Sequence, residues 1–155
     1  MAFVPTPWVE PAAPTRLERT VARAIRMAVR VPGLRRALLS PAVARPGCWI
    51  ATGCAWAWGR ILGGRWRVST VPGGRLRRYD GLPRWAFGRG GTTIGAIYLT
   101  HDAVAPEVLA HEFAHTTQWR RYGPALIPLY VAAGSRPETN RFEVEAGLAA
   151  GGYLS

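Results

Sequence analysis

Residues 106–123 read PEVLAHEFAHTTQWRRYG, and this stretch decides what fold the chain can have. Pro106 suits the first turn of a helix, because the N–H that proline lacks is one no helical carbonyl would claim. Gly123-Pro124 closes the run, with Arg120 and Arg121 placed near the negative C-terminal end. The spacing therefore predicts a helix over 106–122. Four residues of helix turn through about 400°, so His111 and His115 stack on one face, one turn apart. Their imidazoles can converge on one metal ion. Glu112 stands about 100° round from His111, beside such an ion rather than on it.

That offset has a chemical use. Zinc pulls the pKa of a water it holds towards 7, and a carboxylate within hydrogen-bond reach can take the proton as the oxygen attacks a carbonyl. With three His and seven Glu in 155 residues, composition alone would produce one HExxH roughly a few times in a thousand. The expectation is one Zn2+ held by His111 and His115, with Glu112 as general base. Two histidines leave zinc in need of a third protein ligand. The stretch NRFEVEA (140–146) begins a last helix and offers Glu143 and Glu145. They cannot both face the ion, since i and i+2 lie about 200° apart on a helix. The N-x-x-E spacing also gives Glu143 a competing use, as capping-box partner of Asn140.

Upstream of the motif helix, from Gly63 to His101, polar and apolar residues alternate in RWRVSTV (65–71) and RWAF (84–87), punctuated by Gly-Gly and Pro-Gly pairs. This predicts a small antiparallel sheet and, overall, an α+β domain. Its clearest strand is TTIGAIYLT (92–100), in which Gly95 marks a bulge or a close backbone approach.

TTIGAIYL followed by VLAHEFAHTTQW resembles bacterial zinc peptidase domains in which a glycine-containing strand precedes LAHExxHxxQ. With NRFEVEA added, the chain is similar to the wider gluzincin group, whose downstream helix supplies a glutamate as third ligand, commonly three residues before an alanine. The resemblance spans Thr92 to Leu148 and implies a minimal zincin-like domain that hydrolyses peptide bonds. It implies Glu143 as third ligand, because Ala146 follows by three, and leaves Glu145 as the spare. Gly147 stands where the family often has an aspartate to orient a histidine, so that carboxylate is missing. The strand would bind substrate backbone along Thr93, Ile94, Gly95, Ala96, Ile97, Tyr98 and Leu99. A hydrogen-bond donor to the transition state is also implied, with Tyr122, Tyr130 and His101 as candidates.

The N-terminal half is covered by no resemblance. Residues 1–14, rich in Pro and Ala, predict an extended arm. Thr15-Arg16-Leu17-Glu18 is a capping box that predicts a helix over 16–30. Leu17, Val21, Ile25 and Ala28 share one face of it, and Arg16, Arg19, Arg23, Arg26 and Arg30 another. A short helix over 34–40 and a buried helix over 48–62 should follow, and 15–62 should join 63–155 in one compact unit. Residues 125–133, strongly apolar, should pack beneath the motif helix.

All twenty basic residues are arginine, and they are unevenly placed: net charge is +13 over residues 1–100 and −2 over 101–155. The first part is thus suited to an anionic partner, a membrane surface more than nucleic acid, for which no reading motif is present. Cys48 and Cys54, the only cysteines, exclude a disulfide framework or a four-cysteine metal site within the chain, and read as small core residues. No export signal is legible at the N-terminus, and GCWIATGCAWAWG (47–59) is too short to span a bilayer, which points to the cytoplasm. Two other readings stand beside the peptidase: a non-catalytic zinc-binding or metal-free interaction module, and a peripheral membrane protein acting through its basic N-terminal helix.

Overall fold

The computed structural model describes residues 14–87 and 90–147, so the expected arm, Pro14 apart, lies outside the described residues. The chain is α+β. Helices α1 (Arg16–Arg30), α2 (Leu34–Leu38) and α3 (Pro41–Ile61) lead into strands β1 (Arg65–Val71), β2 (Gly74–Asp80), β3 (Gly91–Ile94) and β4 (Ile97–Thr100). Helices α4 (Pro106–Tyr122), α5 (Leu126–Ala132) and α6 (Arg141–Ala146) complete it. Among the described residues no helix is long and apolar enough to cross a membrane.

The four strands are ordered β1-β2-β4-β3. β1 and β2 form an antiparallel hairpin, but β2 runs parallel to β4, with Tyr79 opposite Leu99, so the sheet is mixed rather than purely antiparallel. The expected strand over 92–100 is in fact two strands, antiparallel to each other with Ile94 opposite Ile97. Gly95 is neither bulge nor strand interior: it opens a two-residue turn with φ 61°, the conformation that favours glycine in such loops. RWAF forms no strand either, since Arg84–Ala86 is a single 3-10 turn.

Alternation along the strands sorts the core onto two faces of the sheet. Tyr79, Ile97 and Leu99 meet Ala55 of α3 and Leu82. Leu76 and Tyr98 meet Leu109 of α4. A third cluster, of Cys48, Trp119, Leu126 and Phe142, joins α3, α4, α5 and α6. Two glycines let α3 come close: a side chain at Gly59 would strike the Tyr79 ring, and one at Gly47 would strike Pro124.

The hairpin turn is pinned to α3. Thr52 Oγ1 accepts the Ala96 N–H at 2.9 Å, and a Cβ on Gly95 would lie 2.5 Å from the Thr52 amide nitrogen. Because the obstacle is helix backbone, it cannot swing aside. Gly95→Ala therefore combines a left-handed backbone penalty with an unrelieved clash and should cost about 3 kcal/mol or more. Denaturant unfolding of the two proteins checks this; a midpoint unchanged by the substitution would mean that the turn is not held by α3.

In the N-terminal half α1 keeps its capping box, with Thr15 and Glu18 bonded reciprocally. Leu17 is 65% exposed, however, and the buried stripe begins instead at Glu18. That carboxylate also accepts the Ser135 N–H at 2.6 Å, and its pKa is held at about 2, chiefly by the Thr15 amide. It ties α1 to the loop between α5 and α6. α3 starts seven residues before the expected boundary and runs through Pro46. Both Pro46 and Ala42, whose carbonyl the proline leaves without its helical donor, are exposed, so water can serve that carbonyl. Nor is α3 buried as expected: Cys48 is, but Cys54 and three tryptophans face outward.

Candidate metal centre

Helix α4 brings the motif histidines where one helical turn should put them, and α6 meets them from the side. His111 and Glu143 are each 2% exposed. The two Nε2 atoms lie 3.1 Å apart. Glu143 Oε2 is 3.1 Å from His111 Nε2, and its Oε1 is 3.7 Å from His115 Nε2. One donor atom from each residue falls within 4.8 Å of the other two. A tetrahedral ion with bonds of about 2.0–2.1 Å has its ligand atoms about 3.3–3.4 Å apart, so these separations suit zinc-sized coordination.

The protonation pattern points the same way. His111 Nδ1 lies 3.0 Å from the Gly147 carbonyl oxygen and His115 Nδ1 lies 2.8 Å from Gln118 Oε1. Those oxygens can only accept, so each ring donates through Nδ1 and presents its Nε2 to the other ring and to Glu143. Glu143 Oε2 is buried, and among the described residues it has no donor in full hydrogen-bond geometry although His111 Nε2 lies 3.1 Å away. The donor set of two imidazoles and a carboxylate fits zinc.

The orienting residues were only partly visible beforehand. Gly147, which has no carboxylate to offer, supplies its backbone carbonyl to His111. Gln118 donates to the Phe142 carbonyl at 2.9 Å and to Glu145 Oε2 at 3.3 Å, which fixes its oxygen on His115. Glu145 thus braces the brace and is not part of the ligand cluster. Asn140 caps α6 by accepting the Phe142 N–H, and Glu143 turns its side chain to the histidines rather than back to Asn140. The capping-box use of Glu143 is therefore not realised. Replacing Gln118 by Ala should weaken metal binding about 10–100-fold, the usual cost of losing a residue that orients a ligand. Competition with a chromogenic chelator measures it, and an unchanged affinity would remove Gln118 from the site.

Electrostatics follow from the burial. The Glu112 pKa is raised, first by loss of water and against the pull of His115 and the Thr93 hydroxyl. Burial alone would raise Glu143 too, but the two histidines and Tyr130 more than offset it and hold its pKa well below the usual carboxylate range. For His115 burial works downward, yet Glu143 and Glu112 lift the pKa overall. Glu112 is fixed by Thr93 of β3, whose hydroxyl donates to Oε2 at 2.6 Å.

These groups line a cleft of about 280 Å³ with β3 on one side and α5 on the other. Of the predicted substrate strand, Thr93 and Ile94 lie on the edge strand, and Gly95 and Ala96 form the turn packed on α3. Ile97, Tyr98 and Leu99 are buried in a strand already paired on both sides, so they cannot receive a further chain. Even on β3 the Trp119 indole N–H occupies the Thr93 carbonyl at 2.9 Å. Among the donor candidates only Tyr130 lines the cleft, its hydroxyl donating to Glu143 Oε1. Tyr122 stacks edge-on against Phe142, away from the cleft. His101 is bonded to the Leu82 carbonyl at 2.6 Å, beside Asp102. No protein-family model, curated protein or solved structure matches the chain.

Proposed function

We propose that the chain is a zinc-dependent metallopeptidase with a zincin-like domain of gluzincin type. The observation that carries this reading is the convergence of His111, His115 and Glu143, with Glu112 beside them on an open cleft. The three would hold one Zn2+, which when bound polarises a carbonyl and makes water acidic enough to attack it near neutral pH. Glu112 Oε2 is occupied by Thr93, so Oε1 is the oxygen that accepts the water proton and later passes it to the leaving nitrogen. Burial, which lifts the affinity of Glu112 for that proton, suits both transfers. The Tyr130 hydroxyl is the donor placed to reach an oxygen in the cleft. The edge of β3 offers an extended peptide a partial ladder, at Gly91 and the Thr93 amide.

Stoichiometric zinc in the purified protein, with hydrolysis of an unstructured protein substrate abolished by a chelator and restored by zinc, is the expected result. If zinc is absent and none can be loaded, the reading fails. A second reading, a zinc-binding module without catalysis, is favoured by the neutral carbonyl that replaces a carboxylate behind His111. Full zinc occupancy with no hydrolysis of any unstructured substrate would select it.

A further inference from the structure

Helix α3 is largely apolar, yet only part of its circumference is covered. Residues advance by 100° along a helix, which puts Ala44, Cys48, Ala55 and Gly59 on one side, and all four are buried. On the opposite side Val43, Ile50 and Ile61 form one row, and Trp49, Gly53 and Trp56 a second. Trp49 is 74% exposed, Ile50 69%, Trp56 53% and Ile61 75%. Among the described residues nothing covers this face, and soluble domains rarely leave so much aromatic and branched surface in contiguous contact with water.

We propose that this face of α3 docks on an anionic lipid bilayer, lying in its plane with Trp49, Ile50, Trp56 and Ile61 among the headgroups and upper acyl chains. Charge selects the occupant. Between residues 19 and 79 the sequence has thirteen arginines and no carboxylate. Arg45 and Arg60 border the exposed face at either end, and the Arg60 guanidinium lies 5.9 Å from the centre of the Trp56 ring. An arginine resting on an indole can keep its charge at phosphate level while the ring enters the interface. A two-fold contact with a second copy would instead set the same arginine-bordered surface against itself with no acid to receive it. α3 does not span, so the contact is peripheral. The docking face is thus the buried-helix candidate of the sequence, not the arginine stripe of α1.

The test is sedimentation of the full chain with phosphatidylcholine vesicles, with and without phosphatidylglycerol. Binding should require the anionic lipid and weaken as salt rises. The triple substitution Trp49→Ser, Ile50→Ser, Trp56→Ser should lower the partition about tenfold or more while the circular dichroism spectrum and melting curve stay unchanged, since all three side chains are exposed. Arg23→Gln with Arg26→Gln should cost less. Cys54 is exposed and Cys48 buried, so a polarity-sensitive dye attached to Cys54 should shift to the blue when anionic vesicles are added. Absence of binding to either vesicle, binding untouched by the triple substitution, or an oligomer in lipid-free buffer that the triple substitution dissolves would each overturn the proposal, the last in favour of contact between copies.

Discussion

Glu112→Gln should lower kcat for peptide hydrolysis about 10³-fold, roughly 4 kcal/mol of barrier, with KM and zinc content little changed. Glutamine fills the same space, and its carbonyl oxygen can still accept the Thr93 hydroxyl that now bonds Oε2 at 2.6 Å. What it lacks is basicity, so the proton of the attacking water has no acceptor and the leaving nitrogen no donor. The histidine rings keep their Gly147 and Gln118 partners, and Glu143 is untouched. Folding should not suffer, because a buried carboxylate disfavoured by desolvation is exchanged for a neutral amide. Single-turnover kinetics beside metal analysis separate the outcomes. Equal loss of zinc and activity would make Glu112 a metal-site residue rather than a base, and undiminished hydrolysis would remove it from the reaction.

The motif helix was legible in full because its signals are local. Pro106 starts it, Gly123 with Pro124 stops it, and the four-residue step from His111 to His115 needs no tertiary information to set two imidazoles on one face. The TTIGAIYLT stretch was harder. A Gly-Ala pair between Ile94 and Ile97 is itself a two-residue turn signal, but the unbroken apolar run around it reads equally as one strand. What decides is Thr52, a residue of α3 that captures Ala96 and leaves room only for glycine at 95. The parallel pairing of β2 with β4 is likewise fixed by long-range packing, of Tyr79 and Leu99 against Ala55, which periodicity does not encode. For α3 the apolar character was legible and the burial was not, since hydropathy does not say whether the covering surface is part of the same chain.

Around the candidate metal centre the three clustering residues were nameable and their supports mostly not. Thr93 was expected to act through its backbone; its hydroxyl holds Glu112, while its carbonyl is taken by Trp119. Gln118 stands three residues beyond His115, close enough on the helix to turn back onto that ring, a signal present in the LAHExxHxxQ pattern but without an assigned task. The Gly147 carbonyl could not have been read at all, because its approach to His111 depends on a backbone conformation, with a left-handed φ of 93°, that residue types do not specify.

The two carboxylates of α6 give the sharpest separation of roles. Glu143→Ala is expected to reduce zinc affinity by well over the 10–100-fold that loss of an orienting residue costs, and Glu145→Ala by about tenfold or less. Glu143 presents its two oxygens 3.1 and 3.7 Å from the two Nε2 atoms, whereas Glu145 reaches the amide of Gln118, at 3.3 Å. Removing Glu143 would delete a charge that the ion needs and the acceptor of the Tyr130 hydroxyl bond. Removing Glu145 leaves Gln118 its bond to the Phe142 carbonyl, so His115 keeps its orientation. Melting curves should therefore show a large zinc-dependent rise for wild type and Glu145→Ala, as mass action on a native-state ligand requires. For Glu143→Ala they should show little or none. Equal zinc-dependent rises in the two variants would mean that neither glutamate completes the site, and a loss confined to Glu145→Ala would exchange their roles.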